Sequence, residues 1–338
     1  MAKKEVSYEQ VLNDLDRKIY EHVYLLMGEE PYYIDLISDF IQKNVLNEME
    51  QEFDLTILYG KDVDAPTVIN AAKRYPMLGN YQVVIVKEAQ NIKALDDLVY
   101  YFQNPLKSTI LVICYKYGTP DKRKKWVQDA AKTGVVFESV KLRDYEVGSW
   151  INRYIKHKNL TIDEKAVVML SEFLGSDLSK VANELDKLIL TKPADQMRIT
   201  PELVEANIGI SKDFNVFELI AALINRDVLK ANRIIRYFGE NKKSNPSVLV
   251  LANLFNFFSN LMIYHYLPDK TPGVVAAELR VNPYFVKDYQ KAAQLFNAWK
   301  TMNIISYIRE TDARSKGIDN PGADDFDLYK ELVFRILH

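Results

Sequence analysis

Between Val23 and Val140 the sequence alternates short, β-rich and mostly apolar runs with helical stretches, and after Leu142 that alternation ends. The runs are Val23–Met27, Phe53–Tyr59, Val83–Val86, Thr109–Cys114 and Val135–Val140. A strand with one wet face alternates apolar and polar residues, whereas a strand covered on both faces is apolar throughout. Helical patterns separate the runs at Tyr32–Glu50, Ala65–Arg74, Ile92–Gln103 and Asp121–Thr133. Strand and helix in succession predict a parallel sheet.

Beyond Leu142 only helical patterns remain. Tyr145–His157, Glu164–Phe173, Leu178–Leu190 and Pro201–Ile208 form one group, closed by Lys192-Pro193 and Gly209. Within it Leu178, Val181, Leu185 and Leu188 recur at helical spacing and turn Glu184, Asp186 and Lys187 outward. A last group covers Val216–Leu223, Val228–Phe238, Ser247–Leu267, Pro283–Phe296, Ala298–Ser315 and Phe326–Leu337. The expected class is α/β plus all-α, with domains at 1–142, 143–210 and 211–338. At 338 residues the chain exceeds what one core usually serves. No internal repeat or low-complexity tract interrupts it.

Charge narrows the range of partners. The net charge of −2 supplies no attractive field for nucleic acid, so any such contact must come from local patches. The single cysteine, Cys114, lies in an apolar run, which fits a reducing compartment. Met1–Glu5 offers no apolar signal region, and the expected location is cytoplasmic. Val248–Leu267 is rich in Leu and Phe, yet Asn253, Asn256 and Asn260 line one face. It reads as a bundle helix and not as a membrane span, which needs about 20 mostly apolar residues.

Catalytic patterns are missing where such a fold would carry them. The first strand runs into Gly28-Glu29-Glu30-Pro31-Tyr32, where a phosphate loop would need more glycine, a lysine and a hydroxyl. Two carboxylates there repel phosphate. The third strand ends Lys87-Glu88, which puts a cation where a hydrolase places an Asp for Mg²⁺. His22, His157, His265 and His338 have no metal-ligand spacing, and Asp324-Asp325 reads as a helix cap. No catalytic residue, metal or cofactor is expected.

Two surface features stand out instead. Tyr75-Pro76-Met77-Leu78-Gly79-Asn80-Tyr81-Gln82 sets an apolar pair between a proline that ends a helix and a glycine that permits a turn. Met77 and Leu78 are either tucked onto the core or held out for a partner. The basic run Lys122-Arg123-Lys124-Lys125 opens a helix by its pattern. It supplies the candidate DNA-contacting residues, a solvated face being the alternative. Lys242-Lys243 carries the same ambiguity.

In order and spacing these motifs resemble the delta subunit of the bacterial DNA polymerase III clamp loader, over essentially the whole chain. The likeness rests on Gly28-Glu29-Glu30-Pro31-Tyr32, Phe53-Asp54, Tyr59-Gly60, the Pro76–Gln82 segment and Lys87-Glu88. Further on it rests on Gly175-Ser176-Asp177-Leu178, Asn183–Leu188, Asn215–Leu219, Asn282–Phe285 and Asp312–Gly317. The resemblance implies an AAA+-like (RecA-type) domain with a degenerate phosphate loop, a helical lid and a helical collar for oligomerisation. It implies a subunit without ATPase activity that binds and opens the beta sliding clamp for loading onto primed DNA. Its partners would be the ATPase clamp-loader subunits and the delta-prime subunit.

By the same resemblance Met77 and Leu78 are the clamp-binding pair. The family often has Leu-Phe there; methionine is flexible enough to fill the same kind of pocket. The competing readings are an atypical nucleotide-hydrolysing α/β protein and a general DNA-binding module, which the acidic balance disfavours. The assembly's zinc-bearing non-catalytic relative is excluded by the single cysteine.

Overall fold

The computed structural model describes residues 6–193, 196–208, 211, 213–243, 245–320 and 322–338. Gly209 and the 210/211 boundary expected from the sequence lie at or beside residues outside that description. The chain divides into two compact units, Met1–Arg143 with Ser176–Lys180, and Asp144–Gly175 with Val181–His338.

In the first unit helix α1 (Tyr8–Asp16) precedes strand β1 (Val23–Gly28), followed by α2 (Pro31–Asn44) and α3 (Glu48–Asp54). Then come β2 (Leu55–Tyr59), α4 (Ala65–Ala72), β3 (Gln82–Lys87), α5 (Val99–Phe102), β4 (Thr109–Lys116), α6 (Lys125–Thr133) and β5 (Val135–Ser139). The strands form one sheet in the order β2-β3-β4-β1-β5. Every neighbouring pair is parallel.

Successive side chains of a strand point to opposite faces, and in the central strands β1, β3 and β4 both faces are buried. Leu25, Val84, Leu111 and Ile113 pack on one side with Val68 of α4, Phe102 of α5 and Trp126 of α6. Leu26, Val83, Ile85 and Val112 pack on the other with Leu15 of α1 and Ile34 and Ile37 of α2. That double cover is why Val23–Met27 and Val83–Val86 are apolar at every position, whereas the edge strands β2 and β5, less buried, admit Thr56 and Glu138. Cys114 belongs to the second face, and burial pushes its thiol up to about 12.

Local chemistry moved several boundaries. The helix expected over Tyr32–Glu50 is two, because Asn47 and Glu50 form a reciprocal capping box that starts α3. That helix absorbs Phe53 and Asp54, so β2 begins at Leu55. The stretch Ile92–Gln103 holds a 3₁₀ turn at Leu95–Leu98 and the short α5, with Ala94 in a left-handed conformation at φ 55°. The helix expected from Asp121 starts only at Lys125: the Asp121 carboxylate accepts the Arg123 N–H at 2.9 Å and holds the preceding residues in a turn.

The second unit opens with α7 (Asp144–His157), a two-residue strand β6 (Thr161–Ile162), α8 (Glu164–Leu174), α9 (Leu178–Thr191, whose first three residues belong to the first unit), β7 (Arg198–Ile199) and α10 (Pro201–Ile208). β6 and β7 pair in parallel, so the expectation that strands cease after Leu142 is corrected by this clip. Too short to carry a periodicity, each was invisible as a pattern. The helices α11 (Val216–Ile224), α12 (Val228–Glu240), α13 (Ser247–Tyr266), α14 (Pro272–Leu279), α15 (Val286–Leu295), α16 (Ala298–Ser315) and α17 (Asp325–Leu337) follow. α13 is long and apolar enough by composition to cross a membrane. It instead lends Leu251, Leu254, Phe258 and Leu261 to the core of this bundle. The architecture is the expected α/β plus all-α class.

Candidate protein-docking turn and the strand-end cluster

The connection from α4 to β3 holds its apolar pair outward. Met77 is 74% exposed and Leu78 is 53% exposed, with Tyr75 exposed beside them. Full burial of such side chains against a partner stabilises a complex by about 1.5–3 kcal/mol each. Of the two placements open to the sequence, inward on the core or outward, the structure has the outward one.

Below the turn sits Asp54, the last residue of α3, with 0% of its surface exposed. Its Oδ1 accepts the Met77 N–H at 2.5 Å, and its Oδ2 accepts those of Leu78 at 2.9 Å and Gly79 at 2.7 Å. Burial alone would raise the Asp54 pKa; the bonds from Met77, Gly79 and Leu78 outweigh it and hold the carboxyl below its ordinary value. Sequence reasoning quoted Phe53-Asp54 only as a motif and missed this role. Met49 and Phe53, four apart on α3 and therefore on one face, are also exposed.

This turn precedes β3, so it lies at the N-terminal ends of the parallel strands. At their C-terminal ends, where α/β sheets take their ligands, a different cluster is found. Gly28 closes β1 at φ 143°, a conformation suited to glycine, and a side chain there would meet the Ser139 carbonyl oxygen at 2.0 Å. Glu30 then caps α2: its Oε1 accepts the Tyr32 N–H at 3.0 Å. A carboxylate of the chain itself thus holds the helix N-terminus that would attract a phosphate. Burial pushes the Glu30 pKa up, opposed by bonds from the Tyr32 and Leu178 N–H groups.

Lysines fill the rest of this end. Lys116, closing β4, lies 2.7 Å from Asp35 of α2 and 3.7 Å from Glu88. Lys87, closing β3, lies 3.5 Å from Asp39. Asp35, Asp39 and Glu88 are thus each matched by an ammonium group. The arrangement binds the strand ends to α2 and presents neither a phosphate cradle nor an open set of oxygen ligands.

The basic run occupies the same end of the sheet, away from Met77 and Leu78. Lys122 pairs with Glu138, Arg123 with Asp121 at 2.8 Å and Lys124 with Asp96 at 2.9 Å. Lys125 is exposed on the first turn of α6. The four cations therefore stand among three carboxylates, which blunts their local field.

Two family models, curated relatives and a solved structure are similar to this chain. The family model described as "DNA polymerase III, delta subunit" matches residues 24–140, and a second model, for the C-terminal domain of the same family, matches residues 213–322. The DNA polymerase III subunit delta of Bacillus subtilis (strain 168) is 26% identical over 325 residues, covering 92% of this chain and 91% of its own length. A probable DNA polymerase III subunit delta of Aquifex aeolicus (strain VF5) is 23% identical over 227 residues, covering 64% of this chain and 63% of its own. Among solved structures, the Bacillus subtilis DNA clamp loader delta protein superposes with a TM-score of 0.55 at 23% identity, over 98% of this chain and 99% of that one. With both family patterns in order and one fold shared along nearly the whole length, the chain belongs to the DNA polymerase III delta subunit family.

Proposed function

We propose that this chain is the clamp-loader component that grips the beta sliding clamp through Met77 and Leu78 and opens the ring for loading onto primed DNA. The observation that carries this reading is an apolar pair held in solvent on a turn whose backbone is tied from below by Asp54. Two adjacent apolar anchors of this kind suit a hot spot, where a few residues contribute about 2 kcal/mol or more each. The first 142 residues act as the clamp-binding AAA+-like domain, residues 143–210 as the lid and residues 211–338 as the collar. Exposed Leu249, Phe255 and Tyr266 on α13, and Trp299 on α16, support packing of the collar against neighbouring subunits.

Work that needs ATP is left to the partner ATPase subunits, with delta-prime completing a cytoplasmic assembly. The cap from Glu30 and the pairing of Lys116 favour this over the hydrolase reading. The test is co-migration of the full chain with the beta clamp on gel filtration. Met77→Ala/Leu78→Ala should keep the fold, since both residues are exposed, and should lose the clamp. Undiminished co-migration of that variant would overturn the assignment.

A further inference from the structure

We infer that Asp54 is a positioning residue for clamp docking: its carboxylate pre-forms the turn that presents Met77 and Leu78. The inference rests on the clamp-docking reading above and adds the device that makes the pair a rigid anchor. Among the described residues, the hydrogen bonds made by the backbone from Tyr75 to Tyr81 are the three that Asp54 accepts. The side chains of Met77 and Leu78 contribute little to holding the turn, because they point into solvent.

The turn's ends are secured elsewhere. On one side the Lys73 N–H donates to Ile69 at 3.0 Å and closes α4. On the other the Gln82 N–H donates to the Ser108 carbonyl at 2.7 Å and opens β3. Between those points Pro76 restricts its own φ but has no N–H to donate. Three consecutive N–H groups converging on one anion form a nest, a geometry that the anion favours by satisfying all three donors at once.

Gly79 fits the same bracket. A side chain there would meet the Glu50 carboxyl carbon at 3.0 Å, and Glu50 is fixed in the capping box that begins α3. One short helix therefore supplies both contacts that shape the turn: Glu50 packs beside Gly79 and Asp54 takes the amides. A partner meeting this preformed turn has less chain to order on binding, which favours affinity without any contact to Asp54 itself.

The experiment uses the full chain as wild type, Asp54→Ala, Asp54→Asn and Met77→Ala/Leu78→Ala. Hydrogen exchange over residues 75–82 is read together with binding to immobilised beta clamp and the thermal midpoint. In the wild type the amides of Met77, Leu78 and Gly79 should exchange slowly although the turn is exposed. Asp54→Ala should speed exchange at those amides and weaken clamp binding by about 10-fold or more, mainly through faster dissociation. Asp54→Asn, which keeps the shape and one acceptor oxygen, should fall between and covers the case in which the alanine variant does not fold. The apolar double variant should lose binding while its exchange stays slow. Fast exchange of these amides in the wild type overturns the inference. So does wild-type affinity in a folded Asp54 variant when the double variant has lost the clamp. Normal binding by the double variant would overturn the docking reading itself.

Discussion

Lys116 and Asp35 meet at 2.7 Å and tie the C-terminal end of β4 to the first turns of α2. Only 11% of the Lys116 side chain is exposed, and its backbone N–H is held by the Gln90 side chain at 3.1 Å. Burial lowers the lysine pKa, but Asp35 and Glu88 outweigh that and raise it, so the ammonium is a fixed internal cation. Lys116→Ala should therefore destabilise the first unit by about 1.5–3 kcal/mol, the range for hydrogen bonds to charged groups. Urea unfolding measures it. It should not create a nucleotide site, because Glu30 still caps α2. Titration of either protein with Mg-ATP should give no heat of binding, and a micromolar signal would revive the hydrolase reading.

Paired at three of its four cations, the basic run should contribute little to DNA affinity in the isolated chain. Each phosphate contact adds about 0.9 to the salt slope on duplex DNA. With Lys122, Arg123 and Lys124 already paired, the slope should be shallow, about 1–3. Fluorescence anisotropy with primed DNA at several salt concentrations reads it directly. Replacing Lys122–Lys125 with alanine should lower the slope further; tight binding that persists at high salt would reveal a DNA site elsewhere.

Within the helical unit, Glu218 of α11 bridges Lys165 of α8 at 2.7 Å and Lys230 of α12, with 18% of its side chain exposed. Burial raises its pKa, and the two lysines outweigh that and lower it below the ordinary glutamate value. The sign follows from linkage: this stabilisation is complete above the unfolded pKa and is lost as pH falls through the depressed folded value. Glu218→Gln should cost on the order of 1–2 kcal/mol at neutral pH. Thermal unfolding at descending pH should show the gap to wild type closing below the ordinary glutamate range. A gap that is constant or widens with acid would assign the stabilisation to packing.

How far the chain could be read before folding depended on how local each cause was. The doubly covered strands announced themselves because every residue of a two-face strand is apolar, as at Val83–Val86. The Asp324 cap of α17 was legible because its acceptor and the Asp327 N–H lie within one turn. The missing phosphate loop was likewise a matter of adjacent residue types. By contrast α1 and α14, short helices without a long apolar face, passed unread, as did the β6–β7 clip.

For the Met77–Leu78 turn the sequence by itself determined that an apolar pair sits between a helix breaker and a glycine ahead of a buried strand. It left open whether Met77 and Leu78 turn inward or outward, because both placements satisfy that pattern. The tertiary structure decided it through Asp54, whose bonds to the turn span 23 to 25 residues of chain. The same holds for Lys122–Lys124, a basic run in one dimension whose charge is answered in part by the distant Asp96 and Glu138. Periodicity and residue type report neighbours along the chain, whereas a carboxylate's partners are set by which segments the sheet brings side by side.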